Sequence, residues 1–233
     1  MSKDIIFMGT PNFAVPILNS IYNSNYKILR VYTQSPKKKN RGQKVLESPI
    51  HLEAKKLNLD IKYPVRLNKE EDYNFFKNLK SNPVVVVVAY GQIIPEKFLK
   101  LSNLTFINIH ASLLPKWRGA APIQRSIMAM DKETGISIMK IVPKLDAGPY
   151  MLQEKVKIDE NTSSKKLSES LSELASKLII KSLEILNSGK AEFISQDEKK
   201  ATYAKKILKF DSKINWELPA KNLVAFINGL NPT

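Results

Sequence analysis

The 233-residue chain contains no cysteine. That absence excludes disulfides, thiolate metal sites, iron–sulfur clusters and a cysteine nucleophile, and it fits a reducing compartment. The two histidines are too few for a multi-histidine site, so no metal is expected. Glycine is thin as well, at eight residues. The first strand-to-helix turn, Gly9-Thr10-Pro11-Asn12-Phe13-Ala14, lacks the glycines that let a backbone approach a pyrophosphate. No GxxxxGK[ST] loop is present either, which sets aside nicotinamide dinucleotide and nucleoside triphosphate chemistry. The longest apolar run, Val84 to Tyr90, is far too short to span a bilayer, and the opening MSKDIIFMG carries no cleavable secretory pattern. These absences predict a cytoplasmic protein that does not enter a membrane.

Acidic residues are outnumbered, 22 against 37 basic ones, for a formal charge of +15. Such a balance points to a polyanionic partner, nucleic acid or an anionic membrane surface, although a lysine bias can also arise without a function. With 43% hydrophobic residues the chain has ample apolar surface to bury, so it is globular rather than disordered. Its length suits one large domain, or one domain plus an appendage. A charge this high is compatible with a monomer, which is the expected state.

Strand and helix signals alternate through the first two thirds of the chain. Asp4 to Gly9 and Tyr26 to Gln34 read as strands, with a helix from Phe13 to Ile21 between them. Ser48-Pro49 forms an N-cap and first-turn pair opening a helix to Leu57, and Glu70 to Leu79 is a further helix. The all-valine run Val84 to Val88 predicts a central strand buried on both faces. Leu104 to Ile109 and Thr134 to Val142 are strands, separated by a helix beginning at Ala120-Ala121-Pro122 and ending at Met130. The alternation predicts an α/β fold: an open, mostly parallel twisted sheet with helices on both faces. Met151 to Ile158 reads as an edge strand, and Ser163 to Leu186 as a long helix stopped by Gly189. Residues 1–189 are thus expected to form the main domain. Residues 190–233 read as an extension with a short helix near Leu223 to Ile227 and Trp216 as hydrophobic packing. His51 and Arg66 read as surface residues.

The informative stretch is FINIHASLLPKWRGAAP, Phe106 to Pro122. Side chains alternate along a strand, so Asn108 and His110 point to one side at the carboxyl end of the sheet, where open α/β sheets bind ligands. An asparagine amide can donate to a carbonyl oxygen that becomes an oxyanion, and a neutral histidine can accept a proton from an attacking amine. Asp146, in the turn Leu145-Asp146-Ala147-Gly148, is the candidate carboxylate to orient that histidine. The same three residue types can also do no more than satisfy backbone groups and form a turn.

Asn108-x-His110-x-Ser112-Leu113-Leu114-Pro115, followed by Arg118-Gly119 and by Asp146-x-Gly148, resembles the signature of the folate-dependent formyltransferases. Within them the chain is most similar to the branch acting on methionyl initiator tRNA. The matching elements are Gly9-Thr10-Pro11-x-Phe13-Ala14, Ala89-Tyr90-Gly91-x-Ile93, Trp117-Arg118-Gly119-Ala120-Ala121-Pro122-Ile123, Glu133-Thr134-Gly135, Gln196-Asp197-Glu198 and Thr202-Tyr203-Ala204. The branch acting on glycinamide ribonucleotide shares the Asn, His and Asp but not the Trp-Arg-Gly-Ala-Ala-Pro run. The nucleotide-sugar branch comes closer and is the rival enzyme; a basic RNA-binding module that keeps the fold without catalysis is the rival from another class.

The resemblance implies a Rossmann-like formyltransferase fold and transfer of a formyl group from 10-formyltetrahydrofolate to the amino group of methionyl initiator tRNA, without a metal. Asn108 would stabilise the oxyanion, His110 would assist proton transfer, and Asp146 would position His110 or a relay water. Ser112, Leu113, Leu114 and Pro115 would line the folate pocket, with backbone groups near Tyr90 and Gly91 bonding the pterin edge. Lys37, Lys38, Lys39, Arg41 and Lys44 form a basic loop that in the family reaches the tRNA acceptor arm; by composition alone such a run also suits a solvated loop. The family carries a C-terminal β-barrel domain, toward which residues 190–233 would lead and which this sequence lacks.

Overall fold

The computed structural model describes residues 3–39 and 44–232. The chain divides into two compact units, Met1–Ile109 with Ser176–Glu192, and His110–Ala175 with Phe193–Thr233.

The first unit opens with β1 (Asp4–Gly9), every residue of which after Asp4 is buried, as expected of a strand covered on both faces. A single 3-10 turn leads into α1 (Val15–Tyr22), whose Ile17, Leu18 and Ile21 recur at helical spacing and are buried. β2 (Lys27–Tyr32) pairs parallel with β1. The basic segment then forms a short antiparallel hairpin of β3 (Lys37–Lys39) and β4 (Lys44–Leu46). In α2 (Pro49–Lys56), Ser48 caps the first turn by accepting the His51 N–H at 3.0 Å, so both the cap and Pro49 stand where the sequence puts them. β5 (Ile61–Lys62), α3 (Glu70–Lys77), β6 (Val84–Val88), α4 (Glu96–Leu99) and β7 (Thr105–His110) follow. The strands lie in the order β7-β6-β1-β2-β5, all parallel, with the five valines of β6 buried beside β1. A cluster of Tyr32, Phe76, Phe98 and Phe106 packs within this unit with ring centroids 5.3 to 6.3 Å apart.

The second unit contains β8 (Arg118–Gly119), α5 (Pro122–Met128), β9 (Glu133–Lys140) and β10 (Tyr150–Lys157), the last two antiparallel. Helix α6 (Ser164–Asn187) gives its first half to this unit and its second half to the other. β11 (Tyr203–Ala204) pairs parallel with β8, and α7 (Ala220–Leu230) packs on α5, with Gly229 against Met128. The fold is α/β with a mostly parallel, mixed sheet.

Three expectations change. The C-terminal helix is longer than Leu223 to Ile227, because Pro219 opens it and contact with α5 carries it through Gly229 to Leu230. Trp216 is 74% exposed: it sits in the hydrogen-bonded turn before Pro219, and none of the described residues covers it. His51 is buried, because the Tyr63 ring lies 4.9 Å from its imidazole and Glu47 stands 3.3 Å from its Nε2. Among the described residues no helix is long and apolar enough to cross a membrane.

Gly135 tests the β9–β10 contact. A Cβ placed there would stand 2.0 Å from the Glu154 carbonyl oxygen and 2.6 Å from Leu113 Cδ2, so the strands would have to part. Gly135→Ala is expected to destabilise the protein by about 1–3 kcal/mol, read from denaturant midpoints at unchanged m.

Candidate active site

Asn108 and His110 are two positions apart on β7 and project to one side at its carboxyl end. Asn108 is half-buried, and its side-chain amide has no hydrogen-bond partner among the described residues. His110 is buried, and both ring nitrogens face polar groups. Nε2 lies 2.8 Å from the Trp117 carbonyl oxygen. Because a carbonyl only accepts, Nε2 carries the proton in the neutral ring and the basic lone pair is on Nδ1. Nδ1 faces Asp146, whose Oδ2 is 3.7 Å away, too far for a hydrogen bond. The same Oδ2 accepts the Gly119 N–H at 2.8 Å, which fixes the carboxylate.

Two residues reach these places through the left-handed region: Trp117 at φ 61° and Asp146 at φ 46°. An aspartate tolerates that conformation, whereas for a tryptophan it costs on the order of 1–3 kcal/mol and must be held by its surroundings. The hold is visible: the Trp117 N–H donates to Thr202 Oγ1 at 2.9 Å and its indole N–H to Asp131 Oδ2 at 2.6 Å.

The loop from Ser112 to Pro115 is fastened to β9 and β10. Ser137 Oγ donates to the Ser112 carbonyl at 2.6 Å and accepts the Leu114 N–H at 3.1 Å, while Gln153 Nε2 donates to the Leu114 carbonyl at 2.8 Å. The Ser112 hydroxyl is spent internally on the Lys116 carbonyl, and Leu114 is buried. Leu113 and Pro115 are left partly open, and Leu113 with Trp117 and Thr134 lines a cleft of about 300 Å³.

In the first unit, Ala89 and Gly91 both have positive φ, which turns the chain sharply after β6. The Tyr90 carbonyl already accepts Thr10 Oγ1 at 2.8 Å and Gln34 Nε2 at 3.1 Å, and its buried phenol is pushed up by desolvation. Gly91 is exposed, and a Cβ there would meet the Gln34 amide at 2.0 Å. Of the basic loop, Arg41 lies outside the described residues, and Lys37, Lys38, Lys39 and Lys44 belong to the two paired strands of the β3–β4 hairpin. Among the described residues no cluster of His, Asp or Glu could hold a metal ion.

The surroundings of Arg118 are not foreseeable from its local sequence. Its guanidinium is fully buried, donating to Gln196 Oε1 at 3.0 Å and to both oxygens of Glu198 at 3.2 and 2.9 Å. Lys144 reaches the same carboxylate at 2.6 Å. Hydrogen bonds from Arg118 and then Lys144 pull the Glu198 carboxyl down to about 2, and Glu198 in turn raises the Arg118 guanidinium. Arg118 and the Gln196-Asp197-Glu198 element both stand out as motifs in the chain, but they lie about 80 residues apart, and only folding makes them partners.

A family profile described as formyl transferase matches residues 3–183. The methionyl-tRNA formyltransferase of Pelagibacter ubique is 53% identical over the whole chain, which covers 75% of that protein. The Coxiella burnetii enzyme of the same name is 42% identical, with 100% of this chain and 74% of the relative covered. Among solved structures, an N-formyltransferase from Helicobacter canadensis in complex with folinic acid and dTDP-3-aminofucose superposes with TM-score 0.75 at 21% identity, over 98% of this chain and 80% of that one. HypX from Aquifex aeolicus in complex with tetrahydrofolic acid gives TM-score 0.70 at 12% identity, over 97% of this chain and 34% of that one. At such identities the two structures bear on the fold alone.

Glu198 gives the site a pH signature. Its folded-state value is lowered, so its contribution to stability is complete above the ordinary carboxyl value of 4.5 and disappears as the pH falls through about 2. Glu198→Gln is expected to melt below wild type at neutral pH, and the gap in Tm is expected to close as the buffer is taken from pH 4.5 toward 2.

Proposed function

The chain belongs to the formyl transferase family, and on that premise we propose that it moves a formyl group from 10-formyltetrahydrofolate onto the amino group of methionine esterified to initiator tRNA. The observation that carries this reading is similarity along the whole chain to relatives named for that reaction. The residues suit a folate formyl donor. The Asn108 amide is uncommitted at the strand end, Leu113 offers an apolar surface, and Gly91 presents open backbone.

The folate donor supplies a formyl carbon activated by its attachment to nitrogen. Asn108 donates a hydrogen bond to the formyl oxygen as negative charge gathers there. His110 takes the proton released by the attacking amine at Nδ1, since Nε2 is committed to the Trp117 carbonyl, and returns it to the departing folate nitrogen. Asp146 faces that nitrogen at 3.7 Å and positions the ring or a relay water. Ser112 and Leu114 keep the folate-side loop in shape through Ser137 and Gln153, and the Pro115 carbonyl accepts the Thr202 N–H at 3.2 Å. Backbone groups at Tyr90 and Gly91 border the pterin.

The basic hairpin, with Lys37, Lys38, Lys39, Arg41 and Lys44, grips phosphates of the tRNA acceptor arm. Residues 1–189 are the formyltransferase domain and 190–233 an extension, of which Phe193–Thr233 packs in the second unit. The chain spans about three quarters of the length of the relatives it matches. The protein works as a monomer in the cytoplasm, beside the initiator tRNA it serves.

Single-turnover formylation of methionyl initiator tRNA tests the reading. Asn108→Ala is expected to slow transfer by about 10² to 10³ with folate binding retained. Transfer to a nucleotide amino sugar in place of methionyl-tRNA would reassign the acceptor. Replacing Lys37, Lys38 and Lys39 by Gln is expected to weaken tRNA binding and to flatten its salt dependence by about one unit of log–log slope for each phosphate that is no longer neutralised. An unchanged slope would remove the hairpin from the tRNA interface.

A further inference from the structure

We infer that Gln196 is a positioning residue that sets the geometry between His110 and Asp146, an inference that rests on the catalytic roles proposed for those two. Its single amide makes three bonds. Nε2 donates to the Asp146 carbonyl at 2.9 Å and to the Gly148 carbonyl at 2.6 Å, bridging the two ends of the turn that carries the carboxylate. Oε1 accepts the Nε–H of buried Arg118 at 3.0 Å. Arg118 directly follows Trp117, whose carbonyl holds His110 Nε2, and precedes Gly119, whose N–H holds Asp146 Oδ2. Gln196 thus ties the segment that orients the base to the turn that orients its carboxylate.

The segment carrying Gln196 is itself well anchored. Ile194 exchanges a pair of backbone bonds with Tyr150 at 2.8 and 3.0 Å, and Thr202 and Ala204 accept the backbone N–H groups of Arg118 and Ala120, both at 2.9 Å. The amide therefore works from a rigid base on both sides. A glutamine satisfies all three contacts because it offers two donors and an acceptor on one planar group. A carboxylate of the same size keeps the acceptor for Arg118 but has no hydrogen to offer two carbonyl oxygens.

That difference separates positioning from packing. Gln196→Glu preserves volume and keeps the acceptor for Arg118 but sets an anionic oxygen against two carbonyls, so a modest fall in Tm is expected, whereas kcat for formyl transfer is expected to fall by about 10²-fold with KM for tRNA and folate little changed. The kcat ratio of variant to wild type is expected to recover at lower pH, as the introduced carboxyl group gains a proton it can donate. Lys199→Ala, an exposed neighbour outside this network, is expected to behave as wild type. A readout independent of turnover is amide exchange at Gly119, whose N–H is held by Asp146: Gln196→Glu is expected to lose protection there. A wild-type enzyme that formylates no methionyl-tRNA would sink the proposed function but leave the Gly119 test standing. Wild-type kcat together with wild-type Gly119 protection in Gln196→Glu would overturn the positioning role.

Discussion

A guanidinium removed from water has to be paired, and the burial of Arg118 imposes that requirement on the rest of the second unit. Its partners, Gln196 and Glu198, are held in place by a segment that must cross beside β8 and bond to it at Thr202 and Ala204. Once that segment is seated, Thr202 pins Trp117 in a left-handed conformation that the residue would not adopt alone. The Trp117 carbonyl then selects the Nε2–H form of His110 and leaves the basic lone pair on Nδ1, the side facing Asp146. A charge–charge requirement in the packing thus decides which nitrogen of His110 keeps the basic lone pair.

The loop that follows β7 is likewise spent on structure. Ser112 and Leu114 have their polar groups bonded within the loop or to Ser137 and Gln153, so the loop presents shape rather than hydrogen bonds. Asn108 is the contrast, a half-buried amide at a strand end whose side chain has no partner among the described residues. A preorganised but uncommitted donor is what stabilisation of a developing oxyanion demands. Fold alone would not identify the acceptor amine, because structures of similar fold include a complex with an amino sugar nucleotide. The identity of the acceptor rests on similarity of sequence over the whole chain.

Much of the first unit is legible in the sequence because its signals are local. Five consecutive valines have few alternatives to a buried strand, and Ser48-Pro49 is a helix start whose hydrogen bond closes within three residues. The pair Asn108 and His110 is equally legible, since alternation along one strand places both on one side. His51 and Trp216 depart from expectation for the opposite reason: burial depends on what arrives from elsewhere, the Tyr63 ring in one case and nothing among the described residues in the other. The basic run is visible as charge, but its antiparallel pairing is not, because Lys-rich strands carry no alternating apolar pattern.

Composition and periodicity are enough to establish the alternation of strands and helices, the excess of positive charge, and the placing of Asn108 and His110 on one side of a strand end. Those properties follow from short-range pattern and from functional groups that each residue carries wherever it lies. The tautomer of His110, the 3.7 Å spacing to Asp146, and the roles of Trp117, Arg118, Gln196 and Thr202 emerge only once the chain has folded. Most of these depend on pairings between residues far apart in the chain, some by about 80 positions, and distance along the chain carries no information about which buried polar groups will satisfy one another.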